Sequence, residues 1–287
     1  MPHHPAPIRC RNTEFRWGER TYIMGILNLS PDSFSGDGIG YNLGKTVAIA
    51  RQMVADGADI LDIGGESTKP GTEPVPNSEI DKELALVVPA IERLAREMEV
   101  PLSIDTYKAN VAREAIKAGA NIINDIWGLK WDADIAKVAA EYQTPIILMD
   151  NQRDEPTRVG IMAKIIAGLN KSIGIATAAG VERRNIIVDP GIGFGKTLEQ
   201  NMEIVHRLGE MKELGLSILL GTSRKSMIGL VLDLPPEDRL EGTAATCAIG
   251  IAKGADIIRV HDVKEMARVA KMSDAIIRRG RVEDASG

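Results

Sequence analysis

From Tyr22 onward, short apolar runs rich in Ile, Val and Leu alternate with longer stretches of helical period. The runs cover residues 23–28, 58–64, 102–106, 122–126, 145–150, 186–190, 218–222 and 257–261. Their near-continuous apolar character predicts strands buried on both faces of a parallel sheet. Between them, residues 44–56, 78–98, 108–118, 132–142, 158–179, 198–214, 237–253 and 263–278 carry the helical pattern. Several helices stop at a glycine (Gly57, Gly119, Gly180, Gly215, Gly254), the residue that tolerates the left-handed turn ending a helix. Three of these returns read alike: Asp-Gly-Ala-Asp-Ile from Asp56, Ala-Gly-Ala-Asn-Ile from Ala118 and Lys-Gly-Ala-Asp-Ile from Lys253.

Eight strand–helix units in about 250 residues match a (β/α)8 barrel in count and size. The fold expected is therefore α/β, a single TIM barrel with a short N-terminal extension. A doubly wound open sheet is the runner-up, because periodicity does not report closure. Residues 1–20 read as an arm or short hairpin plugging one end, 21–280 as the barrel and 281–287 as a tail.

Polar residues recur at the C-terminal ends of the runs, which is the face where such barrels gather their reactive groups. In order they are Asn28, Asp62, Asp105, Asn124, Asp150, Asp189, the turn Ser223-Arg-Lys-Ser226, then Arg259 and His261. A lone aspartate there ordinarily caps the next helix, a reading that suits Asp32 and Asp262 best. The set as a whole suits a flat, polar ligand with several N–H donors and an anionic group. Two glycine-rich segments, 64–71 and 189–196, lack the spacing of a P-loop or a dinucleotide fingerprint. Their glycines would let backbone N–H groups approach an anion or a flat ring. The Ser223–Ser226 turn, before a helical segment, has the makings of a carboxylate or phosphate site.

Composition narrows the partners. A net charge of −5 argues against a nucleic-acid binder, and two cysteines among 287 residues make neither a disulfide framework nor a metal cluster. The first residues lack the apolar core of a signal peptide, and no apolar run reaches the roughly 20 residues that span a bilayer. A cytoplasmic protein with no membrane partner is expected.

The blocks Met24-Gly-Ile-Leu-Asn-Leu-Ser-Pro-Asp-Ser-Phe-Ser35 and Asp62-Ile-Gly-Gly-Glu-Ser-Thr-Lys-Pro-Gly71 resemble the two signatures of the dihydropteroate synthase family. Ser103-Ile-Asp-Thr106, Ile123-Asn-Asp125, Asp189-Pro-Gly-Ile-Gly-Phe-Gly195, Ser223-Arg-Lys-Ser226 and Arg259-Val-His-Asp262 are similar to its remaining blocks, in order. The resemblance implies condensation of a dihydropterin pyrophosphate with p-aminobenzoate, through loss of pyrophosphate and attack of the arylamine on a pterin carbocation. It implies that Asp105, Asn124, Asp189 and Lys225 hold the pterin, with Met149 and Phe194 in the same pocket. Asn28, Thr68, Arg259 and His261 would take the pyrophosphate, Asn28 also holding Mg2+, and Asp62 would orient this cluster. Asp105, Lys225 and Asp62 are the residues expected to act in catalysis. Ser226 would receive the p-aminobenzoate carboxylate, with Thr68, Lys69, Pro70 and Phe194 lining the slot. Loops 30–40 and 67–76 would close over the reaction, and a homodimer is expected.

The chain also departs from the family. Asp150 stands where histidine is frequent; it either caps the next segment or is salt-bridged away from the ligand, as to Arg153, or else it alters substrate preference or weakens catalysis. Asp37 is displaced by one position in the first loop, and Lys69 replaces a frequent arginine. Two other functions remain open at this stage. One is a pterin-dependent methyltransferase working with a corrinoid partner; the other is a non-catalytic pterin-binding paralogue.

Overall fold

The computed structural model describes residues 5–29, 42–66, 80–154 and 160–278. Eight parallel strands close into a barrel: β3 (Tyr22–Asn28), β4 (Ile60–Gly64), β5 (Leu102–Asp105), β6 (Ile122–Asp125), β7 (Ile146–Met149), β8 (Ile186–Asp189), β9 (Ser217–Leu220) and β10 (Ile257–Val260). Each pairs with its sequence neighbour, and β10 pairs with β3 to complete the ring, which excludes the open sheet. Around it lie α1 (Leu43–Ala55), α2 (Ile80–Glu97), α3 (Ala109–Ala118), α4 (Asp134–Glu141), α5 (Ile161–Ala178), α6 (Leu198–Arg207), α7 (Ser226–Leu232), α8 (Leu240–Lys253) and α9 (Val263–Ile277).

Two sequence expectations need correction. The segment 198–214 is α6 followed by a 3-10 turn at Leu208–Leu214, and α7 is a short helix that the periodicity did not resolve from its surroundings. Helix α5, with mean hydropathy 1.2, is also long and apolar enough by composition to cross a membrane. In the fold it lies on the barrel, burying Ile161, Met162, Ile165, Leu169, Ile173 and Ala176.

The strands' two-residue period explains how a packed interior hands over to a polar mouth. Ile60, Ile122, Ile147, Ile187 and Ile257 fill the barrel interior. Two residues on, the same faces present Asp62, Asn124, Met149, Asp189 and Arg259. The sequence therefore changes from apolar to polar at one level of the barrel, which places the chemistry at the C-terminal rim.

The three repeated returns have a specific job. Asp59 accepts the Ile23 N–H at 2.8 Å, Asn121 that of Leu102 at 3.1 Å and Asp256 that of Ile218 at 3.0 Å. Each side chain satisfies a backbone donor at the entry of the preceding strand, where the barrel ladder does not supply a partner. The glycine before each is needed for the turn: Gly119 and Gly254 have φ of 117° and 109°.

At the opposite end from the mouth, β1 (Ile8–Cys10) and β2 (Thr13–Phe15) form an antiparallel hairpin that covers the barrel bottom. Phe15, Trp17 and Tyr22 pack together there, with Phe15 ring centroids 5.7 Å from Trp17 and 4.8 Å from Tyr22. Phe15→Ala should cost about 3–5 kcal/mol of stability, measured by denaturant unfolding, because it empties a buried aromatic site. Ligand affinity of the folded fraction should be unchanged, since Phe15 closes the end remote from the mouth.

Candidate functional site

The mouth is built along one register row. Asn28 pairs with Gly64, Gly64 with Asp105 and Asp105 with Asn124 across three neighbouring strand pairs. Gly64 has no side chain, so the Asn28 amide oxygen and the Asp105 carboxylate border the same small space above it. One layer lower, Asp62 is fully buried. Arg259 reaches over from β10 and joins the two acids: Nε to Asp62 Oδ2 at 2.6 Å and a terminal nitrogen to Asp105 Oδ2 at 2.7 Å. Asn124 donates to the same Asp62 oxygen at 3.1 Å.

The other oxygen of each acid is different. Asp62 Oδ1 and Asp105 Oδ1 are buried with no hydrogen-bond partner among the described residues. Burial pushes the Asp105 carboxyl up to about 7, against the pull of Arg259. A buried acceptor without a partner is costly, and a donor brought to the rim beside Asp105 would relieve that cost.

Across the mouth, Asp189 accepts the Gly191 N–H at 2.7 Å, and the Lys225 ammonium donates to the Ile192 carbonyl. Burial lowers Lys225 to about 7, with Asp189 opposing that shift. Lys225 lies 4.7 Å from the Phe194 ring centroid and the Arg153 guanidinium 4.6 Å from it. Tyr107, Ile126, Trp127, Met149 and Phe194 form one apolar cluster, so a flat ring could find both an aromatic wall and polar edges here.

On the Arg259 side, Ser223 Oγ accepts the His261 backbone N–H at 3.1 Å and stands 3.0 Å from its Nδ1. If the hydroxyl hydrogen goes to Nδ1, the neutral ring carries its proton on Nε2. Burial, Arg259 and Arg224 together lower His261 to about 4, so this neutral form holds at physiological pH. Ser226 opens α7 and is exposed.

Several sequence readings change here. Asp262 does not cap α9 with its side chain; its carboxylate pairs with Arg224. Asp150 pairs with Lys196 at 3.3 Å rather than with Arg153. The 189–196 glycines do not hold an open row of N–H groups. Gly191 N is taken by Asp189, Gly193 N by Asn201 and Phe194 N by the Gly191 carbonyl. Their lack of a side chain serves backbone packing instead, since a Cβ on Gly191 would lie 2.1 Å from the Asp150 carbonyl oxygen. Gly65 likewise packs on α2, where a Cβ would meet Val87 at 2.7 Å. Thr68, Lys69, Pro70, Asp32 and Asp37, with loops 30–40 and 67–76, lie outside the described residues.

One network was not anticipated. Lys108, only 2 % exposed, donates to Glu66 at 2.9 Å and to Glu83 at 2.8 Å, while Tyr107 Oη donates to Glu66 at 2.7 Å. It ties the ends of β4 and β5 to α2 beside the mouth. The only sequence signal for it is that Glu66 and Lys108 each follow a strand by two or three residues.

Because the Asp189 charge raises Lys225 while burial lowers it, Asp189→Asn should move the Lys225 titration to still lower pH. NMR of the ε-methylene, labelled with carbon-13, checks this; an unchanged or higher titration point would contradict the arrangement.

The chain matches the model of the pterin-binding enzyme family over residues 24–261. It is 57% identical over 273 residues to a dihydropteroate synthase of Clostridium beijerinckii, covering 95% of this chain and 100% of the relative. The Bacillus subtilis dihydropteroate synthase is 52% identical over 275 residues, covering 96% and 95%. The crystal structure of the Clostridium difficile dihydropteroate synthase in the presence of pteroic acid superposes with a TM-score of 0.88 at 50% identity, covering 92% of this chain and 100% of that one. The Xanthomonas albilineans dihydropteroate synthase with 4-aminobenzoic acid gives a TM-score of 0.88 at 36% identity, covering 95% and 98%. A closed barrel with acids, an amide and a half-buried arginine meeting at its mouth thus coincides with end-to-end similarity, and the chain belongs to the pterin-binding enzyme family, among the dihydropteroate synthases.

Proposed function

We infer that the protein is a dihydropteroate synthase, joining dihydropterin pyrophosphate to p-aminobenzoate with release of pyrophosphate. The observation that carries this reading is the rim cluster in which Arg259 joins Asp62 and Asp105, with Asp105 Oδ1 lacking a hydrogen-bond partner among the described residues. In this reading Asp105, Asn124 and Asp189 grip the N–H edge of the pterin, and Lys225 donates to its ring acceptors. Met149 and Phe194 lie against the ring plane.

Charge dictates the division of labour. As pyrophosphate leaves, negative charge grows on it and positive charge on the pterin methylene. Arg259 and the Nε2–H of His261 are suited to the first, and the Asp105 and Asp62 carboxylates to the second. Ser226 accepts the carboxylate of p-aminobenzoate, with Thr68, Lys69 and Pro70 beside it. Because Arg259 is bound to both acids, tightening on the pyrophosphate would loosen its hold on them, so leaving-group departure and cation stabilisation are linked.

The residues fit a magnesium ion as well. The Asn28 amide oxygen, bordering the space above Gly64, is the hard donor that would hold it, since the neighbouring Asp105 Oδ2 is already taken by Arg259. That suits a cation completed by phosphate and water. Bound there, Mg2+ would neutralise charge on the pyrophosphate.

Mixing the two substrates with Mg2+ should release pyrophosphate in step with dihydropteroate. Binding without release would mean a non-catalytic pterin binder, and corrinoid-dependent methyl transfer would mean the methyltransferase. Asp105→Asn or Lys225→Ala should lower kcat/KM by about 5- to 150-fold, the equivalent of one buried group losing its partner at about 1–3 kcal/mol.

A cytoplasmic homodimer completes the reading. Helices α6, α7 and α8 pack against one another and leave Met202, Leu230, Val231 and Ile249 exposed, Leu230 by 68%. Sedimentation should give a dimer, and Leu230→Asp with Val231→Lys should shift it to monomer. A dimer surviving both changes would move the interface elsewhere.

A further inference from the structure

The pterin reading uses the 189–196 loop, because that loop carries Asp189, Phe194 and the carbonyl that holds Lys225. What fixes the loop itself is a buried ion pair that touches no ligand group. The Lys196 and Asp150 side chains are 0% and 2% exposed, with Nζ 3.3 Å from Asp150 Oδ2. The same ammonium donates to the Asp150 carbonyl at 2.6 Å and the Gly191 carbonyl at 3.0 Å, with the Phe194 carbonyl at 3.4 Å. One cation therefore ties the start and the end of the loop to the exit of β7.

Asp150 is fitted for this place. Gln152 Nε2 donates to its Oδ2 at 2.7 Å, and its Oδ1 lies against Gly168 of α5, where even a Cβ would come within 2.5 Å. The backbones are in contact too: a Cβ on Gly195 would lie 2.3 Å from the Gln152 carbonyl carbon, and Gln152 N donates to the Phe194 carbonyl at 3.3 Å. The loop cannot shift along the strand end without breaking the Lys196 contacts.

We propose that Asp150 and Lys196 are a positioning pair for the pterin site, an ionic staple that holds the 189–196 loop in its binding register. This rests on the reading of that loop as the pterin-holding one. The carboxylate here supplies the counter-charge that lets an ammonium sit without water among three carbonyls. The other charged groups acting on Lys196 are Asp189, from the end of β8, and the like charges of Lys130 and Lys225.

Removing either partner leaves a buried charge, of opposite sign in the two cases. In Asp150→Asn the protonated Lys196 loses its acid, so the loop should loosen as pH falls and Lys196 takes up its proton. In Lys196→Met the Asp150 carboxylate loses its cation and the loop loses the ties from both of its ends to the exit of β7. The measurements are the KM values for dihydropterin pyrophosphate and for p-aminobenzoate, relative to the unaltered protein at the same pH. Asp150→Asn should raise the pterin KM about tenfold or more, the more so toward the acid end of the pH range, and Lys196→Met should raise it by about as much. The p-aminobenzoate KM should stay within about twofold at saturating pterin, and the double variant should lose the pH dependence.

Lower melting temperatures with unchanged KM values would overturn the proposal, leaving only a stabilising pair. Equal loss for both substrates with no pH signature would overturn it too. Asp189→Asn serves as the control for the underlying reading. If it leaves the pterin KM unchanged, the pterin assignment of the loop fails; if it raises that KM while Asp150→Asn and Lys196→Met do not, the staple alone fails.

Discussion

The arrangement at the mouth depends on the guanidinium of Arg259, held between Asp62 and Asp105. Two buried carboxylates facing one barrel interior repel each other and lose hydration, and a single planar cation with parallel donors offsets both costs. Arg259 lies on β10, while the acids lie on β4 and β5, so the tie passes over β3 and binds the seam of the barrel to its second and third strands. Each acid has two oxygens, and Arg259 takes only one from each. The site is thus preformed in position and, among the described residues, incomplete in hydrogen bonding.

The same solution recurs around the rim. Lys225 feels Asp189, Lys196 sits against Asp150, and Lys108 lies between Glu66 and Glu83. In the last two pairs the partners come from different strand–helix units, so each ion pair is also a cross-link between barrel units. Breaking such a buried pair from one side typically costs about 3–5 kcal/mol, far more than the net worth of an exposed pair. A rim built this way keeps fixed dipoles and charges where charge changes during pyrophosphate loss, and does not need to reorganise at that moment.

Much of this was legible in the sequence. The eight runs and their polar ends appear as strands and rim residues because the two-residue period of a strand and the count of units are local properties. Asp62, Asp105, Asn124 and Arg259 meet, as expected from strand ends of one barrel. What escaped was every feature set by distance across the fold. Lys196 looked like the end of a glycine-rich loop, and nothing local ties it to Asp150, 46 residues earlier. Asp262 had the position of a cap, yet Arg224 competes for it more strongly. The 189–196 glycines suggested an anion cradle, but their freedom serves contact between two backbones. Helix α7 has only seven residues, too few for its period to show.

The most direct measurement is a crystal structure of the protein with pteroic acid bound. The pterin should lie in the barrel mouth with its N–H edge on Asp189, Asp105 and Asn124, and Asp105 Oδ1 should gain a partner. A pterin seated elsewhere, or one that leaves Asp105 Oδ1 buried and without a hydrogen bond, would contradict the reading of this mouth as the pterin site.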